Sequence, residues 1–283
     1  RRSKMIGICA ENDRHAGLTI RAAQAGKHVL CEKPMALTLA DCVRMIAAVE
    51  SAGVTFMPCF PKRFCVIHQK TKDLISSDEL VQVSSARIRH SHLLGYVDSF
   101  RNTWFADPAR AGGGTVVDQA IHALEFLRWV FGEPESVTAE MTTLLPGLDL
   151  EDYVVALLRF PEDVLVVLQS SWTQQAGEST VEIFGERGTL IQSYGDLASI
   201  RAAPDGDPAP LRVWRTDDGD EGSWTEYDLT LFHEQSHRVQ AEAFFATVTA
   251  GAPPALTAED GRRAVELVAA LYRAASEGAR IDL

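Results

Sequence analysis

Short apolar runs alternate with helical patterns over the first sixty residues. The apolar runs are typical of buried strands, and they cover 5–9, 28–31 and 54–57. Between them, Arg14 to Ala25 and Thr38 to Ala52 place apolar residues at helical spacing, and a glycine follows each pattern. A strand–helix–strand–helix–strand order at these lengths predicts parallel β–α–β units with right-handed crossovers.

The pattern changes after residue 60, and strands then dominate. Apolar and alternating segments predict strands over 81–89, 136–145, 153–160, 164–172, 180–184 and 189–193. Turn-forming residues at 161–163 and 185–188 join successive strands, which favours a largely antiparallel sheet. Helices are predicted over 63–75, 236–249 and 258–278. The chain therefore divides into an α/β domain at 1–60 and an α+β domain at 61–283.

Three consecutive glycines, Gly112 to Gly114, precede a helix that interrupts the strands. An apolar stripe along this helix faces the core and comprises Val117, Ile121, Leu124, Leu127 and Phe131. Asp118, His122 and Glu125 follow one another at helical spacing, so we expect them on a neighbouring face. Glycines without Cβ atoms let a backbone or a ligand approach closely. The arrangement is typical of a site, and equally of an Asp–His surface pair.

Glu32, Lys33 and Pro34 directly follow a predicted buried strand. In open parallel sheets, ligands bind outside the carboxyl ends of the strands. A lysine at that place can be partly desolvated and can donate a hydrogen bond to an alkoxide or carbonyl oxygen. From position alone, a charged exit from the strand is the more common explanation.

Two histidines, His90 and His92, alternate near the end of a predicted strand and so face the same side of it. Together with Arg89 and Tyr96 they could line a substrate pocket. A solvent-facing strand edge explains the pattern equally well.

Composition excludes several classes of protein. The chain has 283 residues, a formal net charge of −12 and a pI near 5.1, without a basic stripe, so we predict no nucleic-acid partner. No apolar run approaches the ~20 residues of a membrane span. The five cysteines lie in the first quarter of the chain without a Cys-x-x-Cys pair. Reduced, mostly buried thiols in a cytoplasmic protein are the simplest interpretation.

One competing motif suggests a metal. His233-Glu234-Gln235-Ser236-His237 fits His-Glu-x-x-His, in which two histidines bind zinc and the glutamate activates water. The motif stands at a predicted strand–helix junction, and no third ligand follows at a recognisable spacing. A zinc hydrolase that uses His233 and His237 is therefore a remote alternative, and we predict no metal site.

Several separated motifs together resemble those of the Gfo/Idh/MocA oxidoreductases. The run Ala25 to Pro34 is similar to that family's first signature, and the glycine loop with Asp118 and His122 is similar to its second. The further matching positions, in the family's order, are Asn12, His15, Arg63, Phe64, Pro254, Thr257, Glu259, Asp260 and Gly261.

The resemblance implies a partial Rossmann sheet followed by a domain with a large open, mainly antiparallel sheet and helices on one face. It implies an oxidoreductase that uses NAD or NADP on a sugar, inositol or related polyhydroxy compound, as a homodimer or homotetramer. Lys33 and His122 would be the catalytic pair, with Asp118 beside them to bind a substrate hydroxyl or orient His122. The positions that match the family's cofactor motifs are Asn12, His15, Glu32, Lys33 and Pro34, with a cis bond before Pro34.

One departure from the family is large. The Gly-x-Gly-x-x-Gly turn that holds the pyrophosphate is absent from this sequence, as is the acidic residue that reads the ribose. We therefore expect a fragment that does not bind a dinucleotide tightly, and NAD and NADP both stay open. A catalytically silent sugar-binding or structural homologue without its cofactor half is the second hypothesis.

Overall fold

Three parallel strands with two helices form the first domain, as the sequence pattern predicts. The computed structural model describes residues 4–174, 178–195, 210–216, 222–229 and 233–283. The elements of this domain are β1 (Met5–Ile8), α1 (His15–Gln24), β2 (His28–Cys31), α2 (Leu39–Ala52) and β3 (Phe56–Pro58). The strand order is β1–β2–β3, with both pairs parallel. Gly53 ends α2 in the left-handed conformation that a glycine adopts without strain.

A nine-stranded mixed sheet forms the body of the second domain. Its strands are β4 (Val83–Ser91), β5 (Ser136–Thr142), β6 (Tyr153–Arg159), β7 (Leu165–Ser171), β8 (Glu178–Gly185), β9 (Gly188–Gly195), β10 (Leu211–Arg215), β11 (Ser223–Tyr227) and β12 (Ile281–Asp282). Their order is β11–β10–β9–β8–β4–β7–β6–β5–β12. The β4–β7 pair is parallel and the other described pairs of this sheet are antiparallel, so the predicted largely antiparallel sheet is confirmed.

The helices of this domain differ in part from the sequence prediction. They are α3 (Val66–Ser76), α4 (Asp98–Arg101), α5 (Pro108–Ala111), α6 (Ile121–Phe131), α7 (His233–Ala250) and α8 (Ala258–Glu277). The single helix predicted over 63–75 is wrong at its start, because Cys65 is extended and separates a 3₁₀ turn at Pro61–Phe64 from α3. The short helices α4 and α5 were not predicted, since four-residue helices carry no periodic signal.

The two faces of the large sheet differ in what covers them. Residues of α3, α6 and α8 pack with the inner face into one hydrophobic core. Along β6, Val154 and Ala156 are buried in this core, whereas Val155 and Leu157 on the opposite face are 38% and 44% exposed. Val167 on the neighbouring β7 is also exposed. The outer face therefore carries an apolar patch.

Glu125 does not share the environment of Asp118 and His122, so the predicted common face is wrong for this residue. It is fully buried, and its carboxylate accepts a hydrogen bond of 2.5 Å from Arg63. Arg63 also donates to Asp260 at the start of α8 over 3.0 Å. The ion pairs join the linker between the domains to two core helices.

Two further features concern the chain as a whole. Within the described residues, none of the helices combines the length and the apolar character that a bilayer crossing requires. The five cysteines are free thiols, of which Cys9 is exposed and the other four are buried.

Candidate active site

Asp118 and His122 lie on consecutive turns of the helix that follows the glycine loop. The turn Val116–Ala120 is π-helical and continues directly into α6. Single π-helical turns are frequent at functional sites, because the extra residue redirects the side chains that follow. Asp118 is buried and His122 is partly exposed, so this helix presents a buried acid and an accessible imidazole.

Lys33 reaches this helix from the other domain. It follows β2, and the bond between Lys33 and Pro34 is cis, as the resemblance implied. Its Nζ atom donates to Asp118 Oδ1 over 2.7 Å and to the Asp118 carbonyl oxygen over 2.6 Å. Both side chains are largely buried. Two motifs that lie 85 residues apart are therefore joined by an ion pair.

The second carboxylate oxygen of Asp118 is occupied as well. Oδ2 accepts from Trp172 Nε1 over 3.0 Å, from the Gln119 amide over 3.1 Å and from His92 Nε2 over 3.3 Å. The Leu94 N–H donates to His92 Nδ1, so in the neutral ring the proton lies on Nε2. Four side-chain donors therefore contact this carboxylate, three of them at Oδ2 and Lys33 at Oδ1.

These contacts fix the charge of Asp118. Burial would raise the pKa of Asp118, but the Lys33 ammonium and the hydrogen bond from His92 outweigh burial and hold that pKa well below its usual range. That Asp118 binds a substrate hydroxyl or orients His122 stays a prediction. Its carboxylate holds Lys33 in place.

His122 is partly exposed as a residue, although one of its ring nitrogens is buried. This nitrogen, Nδ1, is without a hydrogen-bond partner. The rings of His90 and Phe60 pack edge-on against it, with centroids 5.7 Å and 6.2 Å away. Burial, assisted by the charge of Lys33, holds the pKa of His122 well below its usual value. The ring is therefore neutral at neutral pH and able to accept a proton.

His90 and His92 are buried, so a solvent-facing strand edge is the wrong interpretation of this pair. His90 Nδ1 donates to the Gln119 carbonyl oxygen over 2.9 Å, and burial holds the pKa of His90 well below its usual value. Arg89 alternates with His90 along β4 and so lies on the opposite face of the sheet, away from the site. Tyr96 is 48% exposed in a 3₁₀ turn after β4.

Asn12 and His15 tie together the loops at the joint between the domains. The Asn12 amide donates to the carbonyl oxygen of Ala111, the residue before the glycine loop, over 2.9 Å. The ring nitrogens of His15 lie 2.8 Å from the Pro34 carbonyl oxygen and 3.0 Å from the Ala10 carbonyl oxygen. Both side chains are buried. They hold the turn after β1 beside the Lys33–Pro34 segment.

Asn12 follows β1, and Glu32 and Lys33 follow the neighbouring parallel strand β2, so the three residues lie at the carboxyl edge of this sheet, where ligands bind in open parallel sheets. Glycine is absent from the connection between β1 and α1 and from that between β2 and α2. These described connections therefore lack the glycine-rich turn that cradles a pyrophosphate. A groove of about 640 Å³ runs beside the open edge of β1 and is lined by residues of β1 and α1.

Protein contacts explain the three glycines of the loop. A Cβ atom on Gly114 would collide with the Glu151 carbonyl oxygen, and one on Gly113 would collide with the Tyr272 hydroxyl. Gly112 has a φ of +80°, and a Cβ there would collide with a side chain from the first domain. The close approach that the sequence predicts is therefore made by the protein's own backbone and side chains.

The zinc motif has no structural support. His233 and Glu234 begin α7, but their side chains lie outside the described residues. In the part of the chain that the structure describes, no three His, Cys, Asp or Glu side chains are arranged to hold a metal ion.

Sequence reasoning missed residues that shape the site. Trp172 ends a predicted apolar strand, and nothing in that pattern marks it as a hydrogen-bond donor to Asp118. Lys62 is buried and donates to Ser179 over 3.3 Å, and Ser179 is the cross-strand neighbour of His90. The paired His90 and His92 were the only sequence signal for this side of the site.

Two models of one protein family match the chain. The model described as "Oxidoreductase family, NAD-binding Rossmann fold" matches residues 2–60. The model described as "GFO/IDH/MocA C-terminal domain" matches residues 68–191. Together they match more than half of the chain.

Similar proteins support the same grouping. Myo-inositol 2-dehydrogenase of Thermotoga maritima is 29% identical over 285 residues, which cover 98% of this chain and 78% of that protein. 1,5-Anhydro-D-fructose reductase of Ensifer adhaerens is 27% identical over 280 residues, which cover 98% and 79%. The crystal structure of aldose-aldose oxidoreductase from Caulobacter crescentus, complexed with glycerol, superposes with a TM-score of 0.81 at 26% identity, covering 99% of this chain and 79% of that one.

Proposed function

Because this chain belongs to the Gfo/Idh/MocA family of NAD-binding oxidoreductases, we propose that it transfers hydride between a nicotinamide cofactor and a sugar, inositol or related polyhydroxy compound. The observation that carries the proposal is the Lys33–Asp118 ion pair, which places an ammonium from the first domain against the helix that presents His122. The relatives named above support the substrate class, since their names specify inositol and anhydro-sugar substrates.

The chemistry follows from the charge states of the three residues. In the oxidation of a secondary alcohol, a base removes the hydroxyl proton while hydride leaves the carbinol carbon. His122 is neutral and partly exposed, so its ring is the base that accepts this proton. Lys33 donates a hydrogen bond to the oxygen on which negative charge develops. The Asp118 carboxylate holds the Lys33 ammonium in position through their ion pair. A nicotinamide cofactor, when bound, would supply the hydride acceptor.

The assembly and location follow the same proposal. The apolar patch on the outer sheet face, with Val155, Leu157 and Val167, is suited to burial against a second copy of the chain as a homodimer or homotetramer. Five free thiols and a nicotinamide cofactor fit a cytoplasmic enzyme.

Turnover of polyols tests the function. The purified chain is assayed with millimolar NAD⁺ or NADP⁺ and a panel of inositols and aldoses, and reduced nicotinamide is measured. We expect turnover that Lys33→Ala and His122→Ala each lower by ~10²–10⁴. Lys70→Ala is the control, because Lys70 packs over Tyr227 at the far edge of the sheet. A catalytically silent homologue would bind polyols without any turnover, and unchanged rates in either variant would remove that residue from the mechanism.

A further inference from the structure

Glu151 contacts the start of the catalytic helix through both its backbone and its side chain. Its carbonyl oxygen accepts the Thr115 N–H over 2.9 Å. Its carboxylate Oε1 accepts the Gly114 N–H over 2.9 Å and the Val116 N–H over 3.1 Å. The first N–H groups of a helix have no partner within the helix, and a carboxylate is favoured beside them. A residue from just before β6 therefore caps a helix that begins 35 residues earlier.

Tyr272, on α8, forms a hydrogen bond with the same Glu151 carboxylate. Its hydroxyl donates to Glu151 Oε1 over 2.7 Å from the middle of α8. Burial raises the pKa of Glu151, and burial together with the Glu151 charge raises the pKa of Tyr272. The hydroxyl therefore stays a donor across the physiological range.

Glu151 and Tyr272 together form a clamp on this turn, and the absence of side chains on two glycines makes room for it. Cβ atoms on Gly113 and Gly114 would occupy the positions of the Tyr272 hydroxyl and the Glu151 carbonyl oxygen. Glu151 and Tyr272 thus contact the loop at two of its three glycines.

The clamp lies next to the reacting groups in the chain. Val116 precedes Asp118 by two residues, and the carboxylate and carbonyl oxygens of Asp118 are the acceptors of Lys33 Nζ. A movement of this turn would shift Asp118 and His122 relative to Lys33. Misplacement by ~1 Å can cost ~10²-fold in rate.

We propose that Glu151 and Tyr272 are positioning residues that fix the first turn of the catalytic helix, and with it the relative placement of Lys33, Asp118 and His122. The expected effect of these two residues on the rate rests on the proposed function. Their role in holding the first turn of the helix rests on the hydrogen bonds alone.

The test compares Tyr272→Phe with Tyr227→Phe. Both variants lose one hydroxyl, but Tyr227 contacts Arg215 at the sheet edge. We expect Tyr272→Phe to melt like the wild type and to lower kcat by about tenfold, with the KM for the polyol changed by less than about threefold. Glu151→Leu should lower kcat further, and Glu151→Gln, which keeps an acceptor oxygen, should recover most of it. Folded Tyr272→Phe and Glu151→Leu proteins with wild-type kcat would overturn the proposal.

Amide hydrogen exchange separates this proposal from the enzyme assignment. Exchange at Gly114 and Val116 should become faster in Tyr272→Phe and stay unchanged in Tyr227→Phe, whether or not the wild type turns over. Absence of turnover in the wild type would overturn the proposed function alone. Unchanged exchange at both amides in Tyr272→Phe would overturn the positioning role.

Discussion

Loss of Arg63 should destabilise the protein strongly at neutral pH. Glu125 is fully buried and pairs with Arg63 over 2.5 Å, and its Oε2 atom has no hydrogen-bond partner. Arg63→Met would leave this carboxylate without its main cation. Removal of one partner of a buried pair typically costs 3–5 kcal/mol. Arg128 also lowers the pKa of Glu125, so we expect the lower end, about 3 kcal/mol.

The pH dependence of this loss has a defined sign. Burial raises the pKa of Glu125 even with Arg63 present, and loss of Arg63 raises it further. A carboxyl group with a higher pKa in the folded than in the unfolded protein weakens stability as pH rises from the unfolded value, about 4.3. The cost of Arg63→Met is therefore full above the folded pKa and smaller near pH 4.

Urea unfolding followed by tryptophan fluorescence measures the effect. Arg238→Met is the control, because the Arg238–Glu242 pair is exposed on α7 and should contribute at most about 0.5 kcal/mol. The double variant Arg63→Met with Glu125→Gln should recover part of the loss. An Arg63→Met protein within about 1 kcal/mol of the control at neutral pH would refute the role given to the buried pair.

Three other predictions concern the site, the cofactor and the assembly. Because the pKa of His122 is lowered, the acid limb of the kcat/KM profile for alcohol oxidation should lie below about pH 6.5. Lys62→Met should move this limb to higher pH, because the charge of Lys62 contributes to the lowering. A wild-type limb above about pH 6.5 would contradict a neutral His122. Calorimetry should show weaker than micromolar binding of NAD and NADP to these 283 residues, whereas micromolar binding would reveal a phosphate site outside the expected turn. Light scattering should give a mass of two or more chains for the wild type and of one chain for Leu157→Asp. A single-chain mass for the wild type would rule out self-association through the apolar patch on the outer sheet face.

Local patterns predicted most of the elements, and separated motifs predicted which residues lie near one another at the site. Lys33 and Asp118 are 85 residues apart, and no spacing rule brings them together. Their proximity was expected only because each stands in a motif that resembles one family, and the ion pair itself was not predicted. The helix boundary at Cys65 was missed, because the apolar spacing continues through a residue that the tertiary structure holds extended.

The partners of the motif residues were harder to predict. Trp172 and Glu151 reach the site from strands or loops far along the chain, and their own neighbourhoods are ordinary strand patterns. The hydrogen bond from His92 to Asp118 was not foreseen, and the role of His92 in a substrate pocket stays a prediction. Such hydrogen bonds depend on how strands and helices pack, which local periodicity does not encode.

Hydride transfer itself can be followed with an isotope. The polyol that gives the highest turnover is prepared with deuterium on the carbinol carbon and incubated with the protein and millimolar oxidised cofactor. Mass spectrometry of the nicotinamide product should show one deuterium per reduced cofactor with the wild type, and at least about 10²-fold less reduced cofactor with His122→Ala. Reduced cofactor without deuterium, or none at all with the wild type, would contradict the account.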